Sequence, residues 1–250
     1  MSKTAGLKNI LFVGGEPTLY TNDINRIISG SPPNNKPHIT ITTNGFFASS
    51  LGEAIFALKR FKYLDSIQLS YDRYHKKFLP IDNVAFLYQA SRKLGKRFSV
   101  ILTIQSPLDL TLISRFKGMG RFPVGVQKVH PTANLKGSQL RHIYPSFDPS
   151  VFNKRCPNLG KMVYLCGEGF STCCSYLARS PNADKYIHPD ITAHRESLFY
   201  KLISKYSFKS IMDRVGVCKD RMLPEYSSPC VLCNHIFSKA DLRWNSIIKR

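Results

Sequence analysis

The chain has 250 residues and a mass of 28.4 kDa, and 43% of its residues are hydrophobic. This composition is typical of a globular protein with one good core and a smaller module, and it excludes a disordered chain. No apolar run approaches the roughly 20 residues that a membrane-spanning helix needs, and residues 1–13 lack the pattern of a secretion signal. We therefore expect no membrane partner and a cytoplasmic location.

The charge balance is strongly basic. The chain has 36 Lys and Arg residues against 16 Asp and Glu residues, a formal net charge of +20. Solvated helix faces and favourable charges at helix carboxyl ends are the explanation that we favour. The alternative is RNA or another polyanion, because Lys and Arg neutralise phosphates. No aromatic and basic recognition motif accompanies the charge, so RNA is the second choice.

Strand-like and helix-like segments alternate through the first 130 residues. Short apolar runs bounded by turn residues predict five strands, at 9–13, 38–42, 66–70, 98–104 and 124–129. The stretches between them predict four helices, at 18–29, 51–61, 81–94 and 108–117. This alternation predicts an α/β fold with βαβ units and a parallel sheet covered by helices.

The pattern changes near residue 150, and every cysteine lies beyond that point. We therefore predict two domains, residues 1–149 and 150–250. Segment 161–174 predicts a β-hairpin turning at residues 167–169, and residues 192–213 are helical in pattern. Seven cysteines, an odd number in a chain without a secretion signal, favour metal or redox chemistry over a disulfide framework.

Polar motifs stand at the ends of the first three predicted strands. Gly14-Gly15-Glu16-Pro17 ends the first strand, where glycines let the backbone approach a ligand closely and Pro17 starts a helix. Thr42-Thr43-Asn44-Gly45 ends the second strand, and Ser70-Tyr71-Asp72 ends the third. A plain βα turn explains the first motif alone. Active groups of parallel barrels lie at the carboxyl ends of strands, so three motifs in order indicate a site.

These motifs resemble the Gly-Gly-Glu-Pro, Thr-Asn-Gly and Ser-x-Asp motifs of radical SAM enzymes. The resemblance implies a partial (β/α)6 barrel that is missing its first β/α unit here. It also implies a set of residues that bind S-adenosylmethionine: Gly14, Gly15, Glu16, Pro17, Asn44, Ser70 and Asp72. His75, Gln105 and His130 are tentative substrate contacts at the rim of the pocket, and a structural role is the alternative for a lone histidine.

The carboxyl-terminal cysteines carry a second resemblance. Cys156, Gly169 and Cys174, followed by Cys230 and Cys233, are similar to the twitch or SPASM-type auxiliary module of the same enzymes. The resemblance implies one auxiliary 4Fe-4S cluster on these four thiolates. A structural zinc ion is the alternative, although the wide spacing within the first cysteine pair is unlike a zinc knuckle.

Two further points concern the remaining cysteines. Cys173 stands beside Cys174, so the choice of ligand between these neighbours is open. Cys166 and Cys218 are expected to be buried thiols.

One part of the family pattern is absent. Radical SAM enzymes hold their catalytic 4Fe-4S cluster on a three-cysteine CxxxCxxC loop, but no cysteine precedes Cys156. The chain is then a truncated enzyme or a degenerate relative, so whether it is an enzyme stays open.

The resemblance also implies what the complete enzyme would do. It would cleave S-adenosylmethionine to a 5'-deoxyadenosyl radical and abstract hydrogen from a peptide or small-metabolite substrate, with an electron donor such as flavodoxin or ferredoxin. The alternatives are a non-catalytic basic relative, or a zinc-binding module, that binds RNA or an acidic partner.

Overall fold

The computed structural model describes residues 7–31, 36–129 and 142–239. The chain divides into two compact units, unit 1 (residues 1–129) and unit 2 (residues 130–250). The division comes earlier than residue 150, because Phe147 already packs against the core of unit 2 and the Asp148 backbone N–H donates to Ser227 Oγ at 2.9 Å. Within the described ranges, no helix is long and apolar enough to cross a bilayer.

Unit 1 is an α/β unit built on a curled five-stranded parallel sheet that forms a half-barrel. Its strands lie side by side in chain order: β1 (Asn9–Phe12), β2 (His38–Thr43), β3 (Ser66–Asp72), β4 (Arg97–Ile104) and β5 (Val124–Lys128). The connections contain four α-helices: α1 (Thr21–Ser29), α2 (Leu51–Lys59), α3 (His75–Phe78) and α4 (Ile81–Lys93). The predicted α/β class and the parallel sheet are therefore confirmed.

A 3-10 helix over Pro107–Phe116 replaces the fourth predicted α-helix. The hydroxyl of Thr111 donates to the Leu108 carbonyl at 2.7 Å, and that of Ser114 donates to the Thr111 carbonyl at 2.6 Å. Such local side-chain bonds compete with the regular α-helical pattern. A second 3-10 helix, Pro17–Tyr20, precedes α1.

The two faces of the sheet differ in polarity because successive side chains of a strand point to opposite faces. One face is apolar and covered by helices, and its strand residues are fully buried: Ile41, Ile67, Leu69, Val100 and Leu102. The other face, which we call the open face, carries half-buried polar side chains: Thr42, Gln68, Ser70, Asp72 and Thr103. Purely parallel sheets are usually apolar on both faces, so the open face is suited to contact polar groups.

Unit 2 is built from short elements around a second hydrophobic core. The predicted hairpin is present as β6 (Val163–Leu165) paired with β7 (Gly169–Ser171). The predicted helical stretch consists of three helices: α5 (Ile191–Glu196), α6 (Leu198–Lys205) and α7 (Phe208–Val215). It is divided because Ser197 and Ser207 each accept a backbone N–H and so begin a new helix. A further helix, α8 (Pro229–Lys239), carries Cys230 and Cys233.

Candidate functional site

Glu16 joins the loops that follow β1 and β2. Its Oε1 accepts hydrogen bonds from Thr18 N at 3.2 Å, Thr18 Oγ1 at 2.9 Å and Thr43 Oγ1 at 2.8 Å. Its Oε2 accepts one from Asn44 N at 2.9 Å. Both carboxylate oxygens are thus engaged within the protein, so Glu16 holds the two loops in place.

The two glycines before Glu16 present open backbone. Gly14 and Gly15 are exposed, their φ angles are 89° and 56°, and nothing lies within 4 Å of where a Cβ atom would stand. These left-handed conformations favour glycine. Pro17 is buried and begins the 3-10 helix that follows. A ligand therefore has direct access to the backbone of Gly14 and Gly15.

The turn after β2 is fixed by packing. Gly45 has a φ angle of 75°, and an added Cβ would stand 2.7 Å from Leu69 Cδ1, so a larger residue does not fit. Asn44 Oδ1 accepts a hydrogen bond from Phe46 N at 3.1 Å. Among the described residues, none accepts from Asn44 Nδ2, which leaves this amide N–H group to a ligand.

The end of β3 combines an unused hydroxyl with an engaged carboxylate. The Ser70 hydroxyl lies on the open face and makes no hydrogen bond to a described residue. Asp72 Oδ1 accepts from Tyr74 N at 2.7 Å and from His75 N at 2.8 Å, and Asp72 Oδ2 lies 3.0 Å from His75 Nδ1. Burial raises the pKa of Asp72, but these contacts with His75 and Tyr74 outweigh it, so the pKa lies below its ordinary 3.8.

The loops after β3 and β4 are also joined. Tyr74 Oη donates to Gln105 Oε1 at 3.1 Å, and Arg73 Nε lies 3.9 Å from Asp109 Oδ1. Asp109 is buried, and its Oδ2 accepts from Gln105 N at 2.7 Å. Two of the tentative substrate contacts, His75 and Gln105, are therefore held by these loops.

His130, the third tentative substrate contact, lies outside the described residues. Sequence analysis did not identify Thr43 and Asp109 as residues that hold the loops at the carboxyl ends of the strands. A signal for Asp109 was available, because Ser106-x-x-Asp109 has the spacing of a capping box, and that box is present. Thr43 belongs to the motif that ends β2, whereas its hydrogen-bond acceptor, Glu16, follows β1. The sequence alone therefore did not indicate this contact.

In unit 2, five cysteine thiols influence one another electrostatically. They come from three places in the chain, and they are Cys156, Cys173, Cys174, Cys230 and Cys233. Cys230 and Cys233 are three residues apart on α8, so they share a helix face. The folded chain thus brings the predicted ligand cysteines into one region, together with Cys173.

The remaining cysteines do not match the expectation of buried thiols. Cys166 and Cys218 are both exposed. Cys166 lies in the turn of the hairpin, and Cys218 Sγ donates to Asp220 Oδ2 at 3.0 Å. Both cysteines are exposed because they lie in connecting segments, which run over the surface of a protein.

Two of the clustered thiols, Cys230 and Cys233, are strongly shifted toward their protonated form. Burial raises the pKa of Cys230 to about 12, and the nearby Cys174, Cys156 and Cys173 add to this shift. Burial likewise raises the pKa of Cys233 well above its ordinary 9.0. A metal that bound these thiols would have to displace their protons.

The described side chains of unit 2 do not form a centre for a single metal ion. Within the described part of the chain, no three His, Cys, Asp or Glu side chains converge where they would hold one metal ion. A zinc ion draws its sulfur ligands to about 2.3 Å from one centre, whereas a 4Fe-4S cluster gives each thiolate its own iron. This finding favours neither group, so the choice of a cluster over a zinc ion depends on the resemblance of the cysteine spacing in the sequence.

The segment leading to Cys173 is held by buried polar contacts. His194 is buried, and its Nε2 accepts from Thr172 N at 3.0 Å. Asn158 Nδ2 donates to the Thr172 carbonyl at 2.6 Å. Burial, with a smaller contribution from His188, lowers the pKa of His194 to about 4. His194 is therefore neutral near neutral pH and acts as an acceptor that positions this segment.

Comparison of the chain with models of protein families finds no match, and comparison with curated protein sequences finds none either. The residues and their geometry therefore carry the functional assignment.

Proposed function

We propose that this chain is a radical SAM-type protein with two sites. It binds S-adenosylmethionine at the carboxyl edge of the sheet in unit 1. It binds one auxiliary 4Fe-4S cluster in unit 2, on the thiolates that the resemblance selects: Cys156, Cys174, Cys230 and Cys233. The observation that carries the proposal is the edge itself, where family-like motifs end three adjacent strands and Glu16 joins the first two.

In unit 1 the polar groups divide into two roles. Glu16 and Asp72 hold loops, because their oxygens are already engaged by backbone and side-chain donors. The groups left to contact S-adenosylmethionine are the backbone of Gly14 and Gly15, the amide nitrogen of Asn44 and the hydroxyl of Ser70. The open backbone suits the amino group of the methionine moiety, and the two side chains suit its carboxylate and ribose.

Reductive cleavage of S-adenosylmethionine takes its electron from an iron that contacts the ligand directly. All seven cysteines lie at or beyond Cys156, so unit 1 offers no thiolate to hold such an iron. Within the proposal, the chain is part of an enzyme whose catalytic ligands lie outside these 250 residues, or it is a non-catalytic relative. The substrate class is a peptide or a small metabolite, and flavodoxin or ferredoxin is the proposed electron donor.

The state of the cysteines favours a reducing compartment for this function. All seven are free thiols, and cytosolic reductants keep thiols in that form. We therefore include the cytoplasm in the proposal.

Calorimetry with S-adenosylmethionine tests the unit 1 site. We expect weak but measurable binding, because no iron chelates the amino and carboxylate groups of the ligand. Ser70→Ala should weaken binding, whereas Ser99→Ala, a serine of the same face nearer the start of its strand, should not. Equal affinities of the two variants, or no binding to the unsubstituted chain, would contradict the proposed pocket.

An activity assay tests the assignment of the missing catalytic ligands. We expect no 5'-deoxyadenosine from this chain under dithionite, even after iron and sulfide are loaded. Four cysteines saturate the auxiliary cluster and leave no open iron. Product formation by this chain would show that a cluster of unit 2 does the chemistry.

The basic surface supports a second candidate, binding of RNA. Arg73, Lys76 and Lys77 follow β3 and are exposed beside the proposed site. Filter binding of single-stranded RNA over a range of salt concentrations tests it, because phosphate contacts make affinity fall steeply with salt. Charge reversal of these three residues should then reduce both the affinity and its salt dependence.

A further inference from the structure

A cavity of about 400 Å³ lies at the amino-terminal end of the sheet in unit 1. It is formed between the last turn of α1 and the segments that lead into β2 and β3. Its volume is within the range of about 300–1,000 Å³ that is typical of small-molecule sites. The contacts proposed for S-adenosylmethionine lie at the opposite, carboxyl ends of the strands, so the proposed function does not use this cavity.

Much of the cavity wall is apolar. Its buried apolar side chains are Ile28, Pro37, Ile39 and Leu64. The half-buried ring of Tyr63 adds an aromatic surface. Sites for small molecules are typically apolar, with a few polar groups that orient the ligand. This wall is therefore suited to the apolar or aromatic body of a small molecule.

The charged groups of the cavity are mainly cationic. Lys36 and Lys62 line it, and neither ammonium group forms an ion pair with a described carboxylate. The carboxylate in the wall belongs to Asp65, whose Oδ2 accepts a hydrogen bond from Ile39 N at 2.7 Å and lies 3.7 Å from His38 Nδ1. Asp65 is thus engaged by its own neighbours, and the charges of the two lysines are left to a ligand.

The cationic part of the wall is held in place by the surrounding structure. Lys62 N donates to Asn25 Oδ1 at 2.9 Å, and Asn25 Nδ2 donates to the Arg60 carbonyl at 2.8 Å, so this segment is tied to α1. Lys36 Nζ lies 4.4 Å from the centroid of the Tyr63 ring, which is a cation–π contact. A site that is already ordered loses less conformational freedom when it binds a ligand.

We propose that this cavity binds a small phosphate monoester with an apolar or aromatic body. A phosphate monoester carries a charge of about −1.5 to −2 at pH 7, which the ammonium groups of Lys36 and Lys62 match. Lysine commonly binds phosphate as a point charge. The buried apolar side chains contact the body of the ligand. This inference does not depend on the function proposed above.

Titration of the isotope-labelled chain with phenyl phosphate, followed by two-dimensional NMR, tests the proposal. We expect the amide signals of Ile39 and Leu64 to shift and those of Gly14 and Asn44, at the opposite ends of the strands, to stay unchanged. Inorganic phosphate lacks the apolar body and benzoate carries a single charge, so both should bind more weakly. No shift at the cavity with phenyl phosphate, or equal affinity for either comparison ligand, would overturn the proposal.

Two lysine variants separate ligand binding from a role at a helix end. Lys62→Ala should weaken the binding of phenyl phosphate about fivefold, the upper range for an exposed ion pair, whereas Lys59→Ala should leave it unchanged. Lys59 is exposed in the last turn of α2 and does not line the cavity, so it shares only the favourable position at a helix carboxyl end. Equal affinities of the two variants would overturn the proposal. Binding of S-adenosylmethionine should be the same in both variants, which keeps the two sites distinguishable.

Discussion

At the edge of unit 1, the carboxylates of Glu16, Asp72 and Asp109 all accept backbone N–H groups. In unit 2, by contrast, buried polar atoms are left without partners, including Tyr176 Oη and His188 Nε2. Cys230 and Cys233 are held in their protonated form by burial and by neighbouring thiols. The carboxylates at the edge of unit 1 are thus already satisfied within the protein, whereas the cluster that we propose for unit 2 would have to displace the protons of its thiols.

The described part of unit 1 has two exceptions to this description: Tyr71 Oη, and His75 Nδ1, whose only near polar neighbour is Asp72 Oδ2 at 3.0 Å. Tyr71 Oη is buried without a hydrogen-bond partner, and burial raises the pKa of this hydroxyl. Its ring packs edge-on against Phe116 with centroids 5.4 Å apart. Tyr71 lies on the covered face, so its hydroxyl belongs to the core and not to the proposed ligand edge.

Metal loading should have the largest effect, and it should separate the two units. A ligand present at a thousand times its Kd stabilises a fold by about 4 kcal/mol. We expect loading with iron and sulfide to slow amide hydrogen exchange in unit 2 and to leave unit 1 unchanged. Cys230→Ala should abolish the effect, and the exposed Cys218→Ala should keep it. Equal slowing of amide hydrogen exchange in both units would contradict the proposed difference between them.

Loss of the Glu16 carboxylate should have the next largest effect. Glu16→Ala removes the bonds to Thr43 and Asn44, and bonds to a charged group contribute about 1.5–3 kcal/mol each. We expect unit 1 to lose about 3 kcal/mol of unfolding free energy in urea denaturation followed by circular dichroism. Glu53→Ala, an exposed glutamate of α2, should change stability by no more than about 0.5 kcal/mol. A similar result for both variants would mean that the edge is not held by Glu16.

The smallest effect concerns acid stability. The folded pKa of His194 is about 4 against an ordinary 6.5, so the unfolded state takes up its proton first as the pH falls. Iron-free unit 2 should therefore lose stability between pH 6.5 and pH 4. The contribution of Asp72 is present above pH 3.8 and is lost only as the pH falls through its lower folded pKa.

Thermal melts between pH 7 and pH 3 test whether unit 2 loses stability at a higher pH than unit 1. His194→Gln should flatten the upper part of the pH dependence, since Gln keeps an acceptor but takes up no proton. Asp72→Asn should lower stability by a constant amount above pH 3.8 and should flatten the pH dependence only below that value. Acid unfolding that begins in unit 1 would reverse the comparison.

The sequence by itself determined the alternation of strands and helices in unit 1. Each strand is a short apolar run, and its ends are marked locally by Gly, Pro or polar residues, as at Gly14 and Gly45. The hairpin of unit 2 was predictable for the same reason. Local signals were weaker where side chains compete with the backbone, so the sequence predicted an α-helix where Pro107–Phe116 forms a 3-10 helix.

Only the tertiary structure decided what the polar residues do. The sequence motifs predicted Glu16 and Asp72 as ligand contacts, and in the structure both side chains accept backbone N–H groups. The N–H group that Glu16 accepts belongs to Asn44, which follows a different strand. Cys173 and Cys174 are equivalent in sequence position, but only Cys173 packs against the core. The physical reason is common to these cases. Strand and helix formation depends on neighbours along the chain, whereas hydrogen-bond satisfaction and burial depend on residues that folding brings from elsewhere.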